Sequence, residues 1–206
     1  MAKRATRMVK AKTGAGPTPG RRSADVGAGP ARAHREAAGQ AGARGVPSAS
    51  GLRCAVLTAS DSRTRATDAS GTLLAQGLVR AGHRVLARRI VADDRQSLHA
   101  ALSDLLGLGV DAILITGGTG VAPRDVTPEV VGALCERTLP GFGELFRMLS
   151  LEDVGPAAYL SRALCGVRGR QVMFALPGSP AACRLALERL ILPELPHLVS
   201  QLARRA

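Results

Sequence analysis

The chain has 206 residues, which is enough for one domain of ordinary size with its own hydrophobic core. Aromatic residues make up only 2% of the chain, so Leu, Val, Ile and Ala have to build that core. The formal net charge of +12 is concentrated near the start, because residues 1–50 hold ten Lys or Arg against two Asp or Glu. No run of about 18 apolar residues is present, so no membrane span is expected.

The four cysteines each lie among apolar residues and form no C-x-x-C pair, and the four histidines are scattered. This spacing argues against a zinc site. Buried free thiols are typical of a reducing compartment, and the N-terminus lacks the apolar segment of a secretory signal. We therefore expect a cytoplasmic protein with unpaired cysteines.

Residues 1–49 are rich in Ala, Gly, Arg, Pro and Ser and have almost no large apolar side chains. Such a segment cannot bury enough surface to offset the entropy of ordering it, so we predict a disordered basic tail. The tail could bind polyanions weakly or imitate a transit peptide, although a solvated tail without such a role is the simpler interpretation. Residues 50–206 are predicted to form the folded domain, and we do not expect nucleic acid to be its ligand.

Short apolar runs alternate with segments of helical periodicity along the rest of the chain. Ser70 and Thr127 are candidate N-caps of two helices. Because the strands are continuous apolar runs, the pattern predicts a three-layer α/β domain whose mostly parallel sheet is covered by helices on both faces. The predicted strands span 52–60, 83–93, 110–118 and 170–178, and the predicted helices span 70–82, 94–109, 125–136, 141–155, 156–167 and 179–204.

A polar or glycine-rich segment follows each of the four predicted strands. In open α/β sheets, ligands bind beyond the carboxyl ends of the strands. All four segments should therefore meet at one edge of the sheet and form a binding site there. They are TASDSRTRATDASG (58–71), ADDRQ (92–96), TGGTGVAPRDVTPE (116–129) and LPGSPAA (176–182).

The glycines of GGTG suggest a cradle for an anion. Gly117, Gly118 and Gly120 allow positive φ and close approach of the backbone, so that successive N–H groups can point at a ligand. Thr119 can add its hydroxyl. The segment is neither a Walker A loop nor a G-x-G-x-x-G fingerprint, and a tight strand-to-helix turn would explain it equally well.

Two helix N-termini offer further donors for an anion. Gly178 and Ser179 lie just before the closing helical region, and Ser70 and Gly71 lie at the start of the first helix. Ordinary N-capping by Ser179 is the alternative interpretation of the former pair.

Two carboxylates, Asp93 and Asp125, follow the second and third strands. Carboxylates beside bound phosphates would repel them unless a divalent cation lies between, and Mg²⁺ typically bridges one or two carboxylates and substrate phosphates. The pattern thus suggests metal-assisted phosphoryl or nucleotidyl transfer. Alternatively, Asp93 or Asp94 caps a helix, and Asp125 pairs with Arg124 or caps its own helix.

Six segments in this order closely resemble the molybdenum cofactor biosynthesis protein B family, which is related to molybdopterin adenylyltransferase. The resemblance covers residues 51–202. The segments are TASDSRTRATDASG, GHRV, TGGTGVAPRDVTPE, GFGELFRMLS, AYLSRALCG and LPGSPAA.

The resemblance implies a three-layer α/β domain that forms a homo-trimer or homo-hexamer and binds molybdopterin. It also implies that Mg²⁺ and ATP adenylylate the terminal phosphate of the pterin, with release of pyrophosphate. The adenylylated pterin then passes to the molybdate-inserting enzyme. Some members of this branch bind the pterin without a clear catalytic duty, so a non-catalytic carrier or regulator is the alternative.

The family motifs also suggest roles for single residues of this chain. Asp125 matches an essential Asp and Asp93 matches a second one, with Asp94 in reserve, so Asp93 and Asp125 are the expected catalytic and metal-binding residues. Glu144 falls on the shared GFGE motif. The expected contacts to phosphate and pterin map onto Ser70, Gly71, Gly117, Gly118, Thr119, Gly120, Glu144, Gly178 and Ser179.

Overall fold

The computed structural model describes residues 51–204, and the tail predicted for residues 1–49 lies outside them. Within the described range, six strands form one sheet and six α-helices surround it. The strands are β1 (Arg53–Ala59), β2 (Arg84–Val91), β3 (Ala112–Thr116), β4 (Arg137–Thr138), β5 (Leu164–Arg168) and β6 (Gln171–Leu176). The helices are α1 (Ala69–Arg80), α2 (Arg95–Gly107), α3 (Thr127–Leu134), α4 (Pro140–Val154), α5 (Pro180–Ala186) and α6 (Leu192–Ala203). A 3₁₀ helix (Gly155–Leu160) follows α4, and a π-helical turn (Leu187–Ile191) joins α5 to α6.

The strand order is β2-β1-β3-β6-β5-β4. β2, β1, β3 and β6 run parallel to one another, whereas β5 and β4 are antiparallel to their neighbours. The central strands are buried along nearly their whole length, as the continuous apolar runs predicted. The mostly parallel α/β sheet expected from the sequence is thus confirmed.

The core lies on both faces of the sheet because successive strand residues point to opposite sides. Val56 of β1 packs in one layer with residues of α1, α4, α5 and α6, including the fully buried Leu74. Leu57, the next residue, packs in the opposite layer with α2 and α3, whose buried residues include Leu102. These two clusters make the three layers of the fold.

The helix predicted over 156–167 is wrong in its second half. Leu164–Arg168 forms β5, which pairs antiparallel with β6 from Leu164 opposite Ala175 to Arg168 opposite Gln171. A two-residue connection, Gly169 and Arg170, joins the two strands. Five residues are too few to distinguish a strand from a helix turn by periodicity, so pairing with β6 decided the outcome.

Two predicted N-caps are also wrong, and one alternative interpretation is confirmed. Asp68, rather than Ser70, caps α1 and accepts a hydrogen bond from Gly71 N. Val126, rather than Thr127, precedes α3 and makes no side-chain cap. Ser179 caps α5 and accepts from Ala182 N. In the first case, the carboxylate of Asp68 reaches the free N–H groups from a position before the first turn.

Cys54, Cys135, Cys165 and Cys183 are free, as predicted, and all but Cys135 are fully buried. Burial raises the pKa of the Cys54 and Cys165 thiols to about 12 and that of Cys135 and Cys183 to about 11. The thiols therefore stay protonated and unreactive near neutral pH. None of the helices between residues 51 and 204 is long and apolar enough to cross a membrane.

Candidate functional site

The four segments singled out in the sequence meet at one edge of the sheet. β1, β2, β3 and β6 are parallel neighbours, so the chain leaves all four strands on the same side. Asp61 connects three of these segments, because it accepts a hydrogen bond from the N–H of Asp93 at 3.0 Å and pairs with Arg124. The candidate site is therefore formed by segments that are far apart in the chain.

Gly117 and Gly118 are required by their surroundings as well as by their backbone conformation. Their φ angles are +105° and +61°, a region that side-chain-bearing residues rarely adopt. A Cβ at Gly117 would lie 2.2 Å from the carbonyl oxygen of Ala59. A Cβ at Gly118 would lie 2.5 Å from both Asp93 Oδ1 and Thr127 Oγ1. Without side chains at these positions, the chain that follows β3 can pass directly against the Asp93 carboxylate.

Gly120 does not adopt the positive φ that the sequence suggested, but a close approach is found there. A Cβ at this position would lie 2.7 Å from Asp125 Oδ2, so the missing side chain makes room for that carboxylate. Asp125 Oδ2 accepts from Ala122 N at 2.8 Å. Asp125 neither pairs with Arg124, which binds Asp61, nor caps α3.

Asp93 and Asp94 have separate roles although they are adjacent. Asp94 is the N-cap of α2, where it accepts from both the N–H and the hydroxyl of Ser97. Asp93 makes no such cap, and its Oδ1 is buried without a hydrogen-bond partner. Burial raises the pKa of Asp93, and the negative charges of Asp125 and Asp94 raise it further. The structure therefore favours Asp93 over Asp94 as the partner of Asp125.

An unpartnered buried carboxylate oxygen beside a second carboxylate is a poor arrangement for the protein alone. A divalent cation would supply the missing partner for Asp93 and remove the repulsion from Asp125, so these residues fit Mg²⁺. Between residues 51 and 204 no group of three or more His, Cys, Asp or Glu could hold a metal by itself. Two carboxylates suit Mg²⁺, which takes its other ligands from water and substrate phosphates.

A cavity of about 250 Å³ adjoins this loop between the start of α1 and the ends of β3 and β6. Ser70, Gly117 and Gly178 line it, together with Arg63. Ser70 Oγ donates to the carbonyl of Gly178 at 2.7 Å, which holds two of the predicted segments together. Hydroxyls and an arginine beside bare backbone would suit an anionic group.

Asp68 builds the wall of this cavity and was not predicted from the sequence. It is 2% exposed and accepts hydrogen bonds from Arg88, Thr58 and the N–H of Gly71. Burial raises the pKa of Asp68, but these hydrogen bonds outweigh burial and leave the pKa below its ordinary value. The N–H of Gly71 is thus engaged by the cap rather than directed at the cavity.

Three further predicted contact residues lie outside this cavity. Thr119 is 3% exposed and does not line the cavity beside Ser70. Ser179 is exposed and its hydroxyl oxygen is engaged in capping α5. Glu144 lies exposed on α4 and is likewise absent from that cavity.

Arg162 was also missed by sequence reasoning, although it lies within the AYLSRALCG segment. Its guanidinium donates to the carbonyls of Gly120 and Asp125 and pairs with Glu129. A second cavity of about 300 Å³ lies beside it and is lined in part by Asp125 and Arg95. The one available signal was a basic residue in the middle of a motif that otherwise contains small and apolar residues.

Replacing Asp93 with Asn is expected to raise the melting temperature at neutral pH. A carboxyl whose folded-state pKa is raised stabilises the fold below its ordinary value of 3.8, and this contribution is lost as the pH rises through the folded-state pKa. At pH 7 the variant removes a partly buried charge that other carboxylates repel, and because solvent screens this repulsion we expect a gain of less than about 1 kcal/mol, or a rise of at most roughly 2–4 °C. Thermal unfolding between pH 3 and pH 8 measures the difference.

The matched control for this variant is Asp104→Asn, which removes an exposed carboxylate paired with Arg89. Surface pairs of this kind contribute little, so the control should leave the melting temperature nearly unchanged. A gain for Asp93→Asn that persisted undiminished at pH 3 would contradict the electrostatic explanation.

Comparison with known proteins identifies the family of this chain. Residues 55–197 match the family model described as "Probable molybdopterin binding domain". The chain is 51% identical over 156 residues to molybdenum cofactor biosynthesis protein B of Bacillus cereus, with 75% of this chain and 92% of the relative covered.

Solved structures give the same result. A crystal structure of a molybdenum cofactor biosynthesis protein B superposes with a TM-score of 0.72 at 50% identity, covering 75% of this chain and 98% of the other. The tungsten cofactor synthesizing protein MoaB of Pyrococcus furiosus superposes with a TM-score of 0.70 at 34% identity, covering 77% and 100%.

The fold and the family match together define a molybdopterin-binding type of α/β domain. Within that class, the chain belongs to the molybdenum cofactor biosynthesis protein B family. A role in molybdenum cofactor biosynthesis follows from this membership.

Proposed function

We propose that this protein binds molybdopterin and transfers AMP from ATP to the terminal phosphate of the pterin, releasing pyrophosphate. The observation that carries the proposal is the unpartnered Oδ1 of Asp93, which is buried against Gly118, while the Asp125 carboxylate lies against Gly120 of the same loop. A protein that only bound an anion would gain nothing from two carboxylates here, since they would repel it. Two carboxylates are expected where a cation neutralises transferring phosphates.

The reaction in this proposal is a single displacement. An oxygen of the pterin phosphate attacks the α-phosphorus of ATP, the bond from that phosphorus to the bridging oxygen breaks, and pyrophosphate leaves. Asp93 and Asp125 would hold Mg²⁺, which when bound neutralises charge on the phosphate oxygens. The protein's own residues then have to position the two phosphates, and no covalent nucleophile is needed.

The binding residues divide into two groups in this scheme. Gly117 and Gly118 approach Ala59 and Asp93 so closely that no side chain fits there. Their backbone is therefore left open to a ligand. Ser70 and Arg63 line the adjoining cavity and would hold an anionic part of a substrate. Glu144 stays a predicted contact that lies apart from this cavity.

The direct test is transfer itself. Purified protein is mixed with molybdopterin and Mg-ATP, and adenylylated pterin and pyrophosphate are measured with and without a chelator of Mg²⁺. Both products should appear in equal amounts and only without the chelator. Saturable pterin binding without either product would overturn the enzymatic proposal and leave a non-catalytic carrier or regulator.

We also propose that the protein self-associates as a homo-trimer or homo-hexamer and hands its product to the molybdate-inserting enzyme. Large apolar side chains recur along α4 and are exposed, notably Leu145, Met148 and Leu151 at 47%, 60% and 53%. Tyr159 of the following 3₁₀ helix is 74% exposed. An exposed apolar face of this kind typically marks a protein contact. Light scattering of the purified protein should give three or six chains per particle, and a monomer would contradict the proposal.

A further inference from the structure

Arg162 donates three hydrogen bonds to the loop between β3 and α3. Its Nε donates to the carbonyl of Gly120 at 2.7 Å, and its Nη2 donates to the carbonyl of Asp125 at 2.5 Å. Its own N–H donates to the carbonyl of Thr119 at 3.1 Å. One residue that follows the 3₁₀ helix thus holds the start and the end of this loop.

The loop between these contacts closes on itself. Asp125 Oδ2 accepts from Ala122 N at 2.8 Å, and Asp125 N donates to the carbonyl of Ala122 at 2.9 Å. The Asp125 carboxylate lies over Gly120, where a Cβ would meet it at 2.7 Å. The direction of this carboxylate therefore depends on the separation of Gly120 and Asp125, which is the distance that Arg162 spans.

The chemistry of arginine suits this task. A guanidinium is planar and always charged, and it offers several donors in a rigid fork, whereas the lysine ammonium is a compact point charge on a flexible stem. Here the third nitrogen of the guanidinium pairs with Glu129 of α3. This ion pair orients the other two nitrogens toward the loop. The guanidinium binds the backbone carbonyl of Asp125 rather than its carboxylate, which accepts from Ala122 N instead.

We propose that Arg162 is a positioning residue that holds the Asp125 carboxylate toward Asp93 for metal-assisted transfer. The inference rests on the proposed adenylyl transfer. Arg162 acts through Asp125 and is not itself a ligand of the reacting phosphates in this scheme. A side chain with a single donor nitrogen cannot reach both loop carbonyls and Glu129 at the same time.

The test is Arg162→Lys, which keeps the charge and removes the fork. The maximal rate of transfer should fall about 10- to 100-fold, as is typical when an outer-shell partner of a metal ligand is lost. The Mg²⁺ concentration for half-maximal rate should rise, while the KM for molybdopterin stays within about twofold. Independently of activity, amide hydrogen exchange in peptides covering residues 119–126 should become faster.

The matched control is Arg147→Lys, at a neighbouring arginine that donates to the carbonyl of Ser161 and makes no recorded hydrogen bond to the loop. This variant should keep the wild-type rate, Mg²⁺ requirement and loop exchange. Glu129→Gln is the second variant, in case Arg162→Lys does not fold. It keeps an acceptor for the guanidinium and should shift the Mg²⁺ requirement in the same direction by a smaller factor.

Two results would overturn the inference. One is wild-type rate and Mg²⁺ requirement in Arg162→Lys, and the other is an equal loss of rate and pterin affinity, which a merely structural role would produce. If the unmodified protein shows no transfer, the proposed function fails by itself. In that case two other measurements decide the role of Arg162: amide exchange in the loop, and Mn²⁺ affinity in the presence of ATP. If both are unchanged in Arg162→Lys, the positioning role of Arg162 is overturned.

Discussion

Asp125→Asn is expected to lower the rate of adenylyl transfer by more than about 100-fold while the protein still binds molybdopterin. Loss of even an outer-shell partner of a metal ligand typically costs 10- to 100-fold, and a direct ligand should cost more. The amide keeps the shape of the side chain and an oxygen that can accept from Ala122 N, so the loop should hold its conformation. Pyrophosphate release and pterin binding are the two measurements.

Asp104→Asn is again the control, because it removes one carboxylate from an exposed pair with Arg89, which the proposal does not involve. It should leave the rate within about twofold of the wild type. A wild-type rate in Asp125→Asn would show that the Asp125 carboxylate is not needed to bind the cation. Equal loss of pterin affinity and rate would instead assign Asp125 to binding alone.

Gly118→Ala is expected to disturb both stability and function. A methyl group there would lie 2.5 Å from Asp93 Oδ1 and Thr127 Oγ1, and the φ of +61° is unfavourable for alanine. Strain at such a position costs about 1–3 kcal/mol before the crowding is counted. The shift needed to relieve the contacts would move the loop away from Asp93. The loss of transition-state stabilisation, calculated from the transfer rate, should therefore exceed the loss in free energy of unfolding.

Gly132→Ala provides the contrast for this variant. Gly132 lies inside α3 with nothing within 4 Å of an added Cβ, so alanine should stabilise the helix by about 0.5–1 kcal/mol. Chemical denaturation compares the two variants directly. A Gly118→Ala protein as stable and active as the wild type would mean that the loop tolerates a side chain against Asp93.

The alternation of apolar runs and helical periodicity was sufficient to predict the class of fold. Central strands such as β1 and β3 are buried on both faces, so their apolar sequences are continuous and easily recognised. The parallel arrangement then brought Gly117, Asp93 and Gly178 to one edge, as the position of each after a strand predicted. Local sequence is informative here because burial on both faces favours an apolar residue at nearly every position of a strand.

Prediction failed where a residue's environment came from distant parts of the chain. β5 was assigned to a helix because its five residues carry no distinctive period, and only pairing with β6 gives it a strand conformation. Ser70 was assigned as a cap, but Asp68 is held by Arg88 from β2 and takes that position instead. Such choices depend on which side chains the sheet brings together.

The sequence by itself determined the layered fold, the edge of the sheet at which the four polar or glycine-rich segments meet, and the glycines that keep the backbone open there. These properties follow from burial and backbone freedom, which each short segment carries within itself. The tertiary structure alone decided that Asp93 Oδ1 is left without a hydrogen-bond partner while Asp94 caps a helix. It also brought Arg162 to Gly120, 42 residues earlier in the chain. Contacts over such separations depend on the order of the strands in the sheet, which no single segment of the chain determines by itself.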